Sequence, residues 1–145
     1  MTFEAIQPGL KGEIRLVVAE EHTARHLGSG GVKVLATPQM VLLMERAGVA
    51  AVDPLLPDGY RTVGARLDVR HLAPTPIGFE VTATAELIAV EGRKLIFRVQ
   101  AYDGVERVGE GIHERAIINL SRFGERVAQK EQTHRGQAVL NPPAP

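Results

Sequence analysis

The stretch Thr37-Pro38-Gln39-Met40-Val41-Leu42-Leu43-Met44-Glu45-Arg46-Ala47-Gly48-Val49-Ala50-Ala51-Val52 decides how the rest of the chain is read. It reads as one helix. Thr37 suits the N-cap, and Pro38 suits the first turn, where a missing N–H costs nothing. Pro54 ends the helix, because proline cannot donate into the ladder and restricts the residue before it. Only Gln39, Glu45 and Arg46 are strongly polar, and Gln39 and Arg46, seven apart, share one narrow side. A helix this apolar must be wrapped by other structure or span a membrane. Sixteen residues with an ion pair's worth of charge at the centre are too few to span, so wrapping is expected. Glu45 is the odd residue, since its neighbours three and four positions away, Val41, Leu42, Gly48 and Val49, carry no charge. Such a carboxylate sits either at a helix edge in water or in a desolvated site, where burial would raise its pKa and poise it for chemistry.

Outward from this helix the pattern changes from helical to two-fold. Upstream, Gly12–Val18 alternates as a first strand, residues 1–10 read as a loosely held approach, and Gly28-Ser29-Gly30-Gly31 reads as a mobile loop. Downstream, Leu55–Gly59 is a turn. In Tyr60–Ala73 one side carries Val63, Ala65, Leu67, Val69 and His71, and the other carries Thr62, Gly64, Arg66, Asp68 and Arg70. Phe79–Val90 and Lys94–Tyr102 alternate again, joined at Glu91-Gly92. Asp103-Gly104 signals a hairpin into a last strand, about Glu106 to Leu120. Residues 1–130 are expected to form a single domain, with 131–145 a polar, proline-ended tail that is disordered or loosely docked.

The element order is strand, loop, buried helix, then a meander of four antiparallel strands. A twisted sheet with one polar face can curl its apolar face around a single helix, which is the hotdog architecture of the α+β class. Such a sheet has open edges, so a homodimer or a dimer of dimers is expected.

Composition narrows the function. Across 145 residues, 17 basic and 17 acidic side chains balance, which points away from nucleic acid and anionic membranes. The absence of cysteine excludes disulfides, thiolate catalysis and cysteine-based metal sites. His22 and His26 lie four apart, as two metal ligands on a helix would, but no third ligand accompanies them, so no metal is expected. With no apolar leader and no spanning segment, the expected location is the cytoplasm. His71 lies on the apolar side of its strand, beside a proline-rich loop, on the side that faces the helix carrying Glu45. An inward histidine is commonly a satisfied core residue; an inward histidine facing an inward glutamate is a less ordinary pairing.

Several stretches resemble the fluoroacetyl-CoA thioesterase family of hotdog enzymes. They are Ala36-Thr37 through Met40-Val41, Leu43-Met44-Glu45, His71-Leu72-Ala73-Pro74-Thr75-Pro76-Ile77-Gly78, Val81–Leu87 to Val90-Glu91-Gly92-Arg93, Asp103-Gly104-Val105, and Gly111 with His113-Glu114-Arg115-Ala116. The resemblance covers most of Arg25–Lys130. It implies hydrolysis of a small acyl-CoA thioester, with Thr37, Glu45 and His71 as the catalytic set and Gly64 and Arg115 as substrate contacts. It also implies that CoA enters as part of the substrate, with no separate cofactor. The segment Gly28–Leu35 departs from the family: it is shorter and lacks the phenylalanines that form a lid in the fluoroacetate-specific enzyme. The resemblance therefore carries thioester hydrolysis rather than a fluorinated substrate.

One geometric tension accompanies this set. Eight helical residues between Thr37 and Glu45 are a rise of roughly 12 Å, too far for a direct contact on a straight helix. Either the helix begins after Thr37, or the threonine serves a pocket shared with a second subunit. Two rivals remain: an enoyl-CoA hydratase-like hotdog enzyme using Asp68 with His71, and a non-catalytic acyl-CoA-binding module. The odd spacing of Asp68 and His71 points those side chains to opposite faces, against the first.

Overall fold

In a computed structural model describing residues 3–140, five antiparallel strands form one sheet and curl around a central helix. The strands are β1 (Lys11–Val17), β2 (Tyr60–His71), β3 (Glu80–Glu91), β4 (Lys94–Tyr102) and β5 (Arg107–Asn119). The helices are a short α1 (Ala24–Leu27), the central α2 (Thr37–Val52) and α3 (Leu120–Leu140). Sheet order is β1-β3-β4-β5-β2, which leaves β1 and β2 as edges. This is the α+β hotdog arrangement expected from the pattern.

The core forms where the alternation placed it. Val81, Ala83, Ala85 and Leu87 of β3, with Leu95, Phe97, Val99 and Ala101 of β4, are fully buried against α2. From the helix come Met40, Leu43, Met44, Ala47, Gly48, Ala51 and Val52, spaced at three and four so that they share one face. Two glycines let the helix come close. A Cβ at Gly12 of β1 would overlap Ala47 O and Ala51 N of α2, and one at Gly109 of β5 would strike the Met40 side chain.

The sheet wraps only half of α2. Pro38, Leu42, Arg46 and Ala50 are exposed, and Val41, Glu45 and Val49 half so, leaving an open face that is mostly apolar. The N-cap differs from that expected: it is Ala36, extended at φ −71° and ψ 142°, and Thr37 is the first helical residue.

Two strand phases differ from simple alternation. Register slips between Gly64 and Arg66 of β2 and between Leu87 and Ala89 of β3. The extra residue at Ala65 turns Thr62 and Gly64, rather than Val63 and Ala65, toward the helix, while Leu67, Val69 and His71 keep the inward phase read from the sequence. The extra residue in β3 likewise pairs Ala89 with outward Ile96, not with the core.

Residues 3–10 and 120–140 hold more regular structure than their composition suggests. Ile6 is buried, and Phe3 meets Tyr60 edge-on at 5.2 Å, so residues 3–10 dock on the sheet instead of hanging loosely. The segment expected to be a tail from residue 131 continues α3 to Leu140, because 120–140 contains no proline and is rich in strong helix formers. Residues 141–145 of that tail lie outside the described residues.

Candidate active site

Thr37 and His71 meet at the N-terminal end of α2. With Ala36 as the cap, the Thr37 hydroxyl has no capping role and lies 2.7 Å from His71 Nδ1. His71 is the last residue of β2, turned inward beside Leu72-Ala73-Pro74. Its Nε2 is shielded from solvent and has no partner among the described residues. Burial lowers the His71 pKa below its ordinary 6.5, partly offset by the Ala73 backbone, so the neutral ring that can take a proton is favoured. The pair opens onto a cleft of about 370 Å³ walled by Ser29, Gly30, Val32, Leu72 and Pro74. The strand-like contacts Thr23–Leu35 and Val34–Pro76, and the bond from Leu35 N–H to Thr75 O at 2.8 Å, fix the base of the loop that rims it.

Glu45 lies in a second cluster, two turns along the same helix. Its Oε2 is 3.8 Å from Arg115 Nη1, and its side chain is 33% exposed, so it is neither an edge group in free water nor an isolated buried charge. Gly64 backs it: a Cβ on Gly64 would stand 2.8 Å from Glu45 Oε2. Arg115, a residue whose sequence context alone suggests a surface charge, is 4% exposed. Its Nε–H donates to Thr62 Oγ1 at 2.8 Å, Nη2–H to Thr62 O at 3.0 Å, and Nη1–H to His113 Nε2 at 3.1 Å. His113, fully buried, donates Nδ1–H to Arg66 O at 2.8 Å, which makes it a neutral ring with Nε2 free to accept. Burial is the main reason its pKa falls below 6.5, and the Arg115 charge adds to it.

The five residues singled out from the sequence thus fall into two groups within one chain, Thr37 with His71 and Glu45 with Gly64 and Arg115. The helix begins at Thr37, which removes the first of the two ways around the 12 Å rise. Thr62, Asp53 and His113 were not singled out. Thr62 sat on the face read as outward, and only Gly64, a glycine within a strand, hinted at the bulge that turns it in. Asp68 pairs across to Ile112 on the outer face and reaches Arg66 at 3.7 Å, away from His71. A cavity of about 460 Å³ also lies on that outer face among Asp68, Arg70, Arg98, Gln100 and Glu110, and touches neither cluster. His22 Nδ1 accepts the Ala19 N–H at 2.8 Å, a local structural role.

Residues 18–121 match the family model described as FlK, fluoroacetyl-CoA-specific thioesterase. The fluoroacetyl-CoA thioesterase of Streptantibioticus cattleyicolor is 47% identical over 120 residues, 79% of this chain and 86% of that protein. A threonine-to-serine variant of FlK solved in complex with acetyl-CoA superimposes with a TM-score of 0.81 at 43% identity, covering 86% of this chain and 98% of that one. A thioesterase superfamily member from Thermus thermophilus superimposes at 0.84 with 29% identity, covering 90% and 97%. The two clusters on α2 are therefore carried by a chain that belongs to the fluoroacetyl-CoA-specific thioesterase family.

Proposed function

We propose that this thioester hydrolase cleaves small acyl-CoA thioesters in a pocket shared by two copies of the chain. Thr37 and His71 come from one copy and Glu45, backed by Gly64 and Arg115, from the other. The observation that carries the reading is the division of the set along one helix. Thr37 bonds His71 at the start of α2, while Glu45 lies about 12 Å further on, against different partners. The half-open face of α2 supports it: exposed Leu42 and half-buried Val41 and Val49 flank Glu45, and a second helix packed there would cover them.

In this pocket the Glu45 carboxylate attacks the acyl carbon or activates the water that does. Where water attacks, neutral His71 takes its proton as the acyl C–O bond forms and returns it to the departing thiolate as the C–S bond breaks. Where Glu45 attacks, the C–S bond breaks to leave an acyl–Glu45 anhydride and the CoA thiolate. A water deprotonated by His71 then opens the anhydride, freeing the carboxylate while the proton passes to the thiolate. The Thr37 hydroxyl holds the imidazole and reaches toward the tetrahedral oxygen, and the backbone N–H of Gly64 is the candidate oxyanion donor. Products are the carboxylic acid and CoA. The cleft beside Thr37 and His71 is walled by small and aliphatic side chains, which suits a short acyl group and offers nothing specific to fluorine.

Mixing two inactive variants tests this reading. Glu45→Gln and His71→Ala should each lose acyl-CoA hydrolysis by orders of magnitude. Co-refolded in equal amounts, they should recover about a quarter of wild-type activity, since half the dimers are mixed and each holds one intact site. No recovery from a mixture shown to contain mixed dimers would place the whole set within one chain. Binding of acyl-CoA without thiol release by the wild type would favour the non-catalytic module.

A further inference from the structure

A guanidinium that is 4% exposed needs its donors satisfied, and the way Arg115 satisfies them is directional. Arginine usually grips a carboxylate with the fork formed by Nε–H and one Nη–H. Here that fork is taken by Thr62, whose Oγ1 accepts from Nε at 2.8 Å and whose backbone oxygen accepts from Nη2 at 3.0 Å. The other nitrogen, Nη1, gives one proton to His113 Nε2. Only Nη1 then faces Glu45, at 3.8 Å, beyond direct hydrogen-bond length. Thr62 can accept because its own hydroxyl proton goes to Asp53 Oδ1, while its N–H donates to Asp53 Oδ2 at 3.2 Å. Asp53 is the C-cap residue of α2, so the chain Asp53–Thr62–Arg115 leaves the helix at its end, crosses β2 and β5, and returns toward the helix at Glu45.

We infer that Thr62, oriented by Asp53, is a positioning residue for thioester hydrolysis. By occupying the fork of Arg115 it prevents the guanidinium from clamping both oxygens of Glu45, and keeps a positive charge beside a carboxylate that stays free to react. This rests on the reading of Glu45 as the carboxylate of the site. Arg115 then acts on the reaction through Glu45, and the residues that set its pose lie a further step away, where neither faces the cleft.

The test uses Thr62→Val, which keeps the β-branch and the backbone carbonyl and removes the hydroxyl, assayed by thiol release on the fastest substrate in a panel from acetyl- to hexanoyl-CoA. Loss of a hydrogen bond to a charged group predicts a fall in kcat of about 10- to 150-fold with KM within about threefold. Thr62→Ser should return kcat to within about threefold of wild type. In an Arg115→Ala background, Thr62→Val should cost less than about twofold more, because its effect runs through the missing guanidinium. Should Thr62→Val fail to fold, Asp53→Asn carries the same comparison. A variant that melts earlier but turns over normally, or a loss that multiplies in full on Arg115→Ala, would overturn the positioning role. Glu45→Gln with wild-type turnover would instead remove the reading beneath it.

Discussion

Gly64→Ala is the sharpest probe of whether Glu45 works from the position it occupies. A Cβ at residue 64 would lie 2.8 Å from Glu45 Oε2, 3.5 Å from His113 Cε1 and 3.6 Å from Arg115 Nη1. The last two are ordinary contacts. The first is not, and to reach an ordinary 3.4 Å the carboxylate must retreat by about 0.6 Å (3.4 − 2.8). The moving atom is the tip of a flexible side chain, so folding should hardly notice. Gly64 has no left-handed φ, alanine gains about 0.5–1 kcal/mol over glycine in such backbone, and a strained Glu45 rotamer returns a similar amount. Net stability should stay within about 1 kcal/mol of wild type. Activity should not, because a 1 Å misplacement at a reacting centre costs about 100-fold and 0.6 Å therefore about 15-fold. The N–H of residue 64 survives the substitution, which separates carboxylate position from oxyanion donation. Steady-state thiol release gives kcat and KM, and urea unfolding gives stability. A variant that folds normally and keeps half or more of the wild-type kcat would refute the idea that Glu45 acts from beside Gly64.

The His71 base should remain usable into mildly acidic solution. Its pKa lies below 6.5, so the acid limb of kcat/KM should fall below pH 6.5, and a limb at or above that value would contradict the buried, neutral ring. His71 and His113 also tie stability to pH in a known direction: both bind protons less readily folded than unfolded. Stability should therefore hold above about pH 6.5 and decline as the pH drops from there through their folded values, as thermal melts across that range would read. Gly12→Ala should behave opposite to Gly64→Ala. Its Cβ meets the backbone of α2 at Ala47 and Ala51, which cannot give way, so urea unfolding should show a loss of about 2–3 kcal/mol.

What the sequence made legible follows from which forces are local. The alternation of Val81–Leu87 and Leu95–Ala101 reports burial directly, because a two-residue period has one physical cause in a half-buried strand. The limits of α2 were set by proline and came out where proline put them, to within the cap. The cap itself was misread because a threonine before proline satisfies the N-cap rule, yet His71, 34 residues away, makes a better partner for its hydroxyl. The Arg115 network was out of reach for the same reason: Asp53, Thr62, His113 and Arg115 come from three elements, and nothing in their spacing says they converge. Helix α3 was lost to polarity, which marks an exposed helix and an unfolded tail alike.

The bulge at Ala65 is where local pattern and site geometry collide. Gly64 and His71 are seven residues apart, an odd number, and an unbroken strand would send them to opposite faces. Reading His71 inward therefore forced Gly64 outward, even though the resemblance assigned both to the site. The extra residue resolves the contradiction by shifting phase once between them. It sits on β2, an edge strand of the sheet, where a bulge disturbs the ladder with β5, its one strand neighbour among the described residues. As a result one strand serves both ends of the open face of α2, its Gly64 against Glu45 and its His71 against Thr37. Because Thr37 precedes Glu45 while Gly64 precedes His71, strand and helix run in opposite senses past each other. The shared pocket proposed above needs a two-fold axis perpendicular to α2, since only that orientation brings the start of a second copy's helix toward the end of this one.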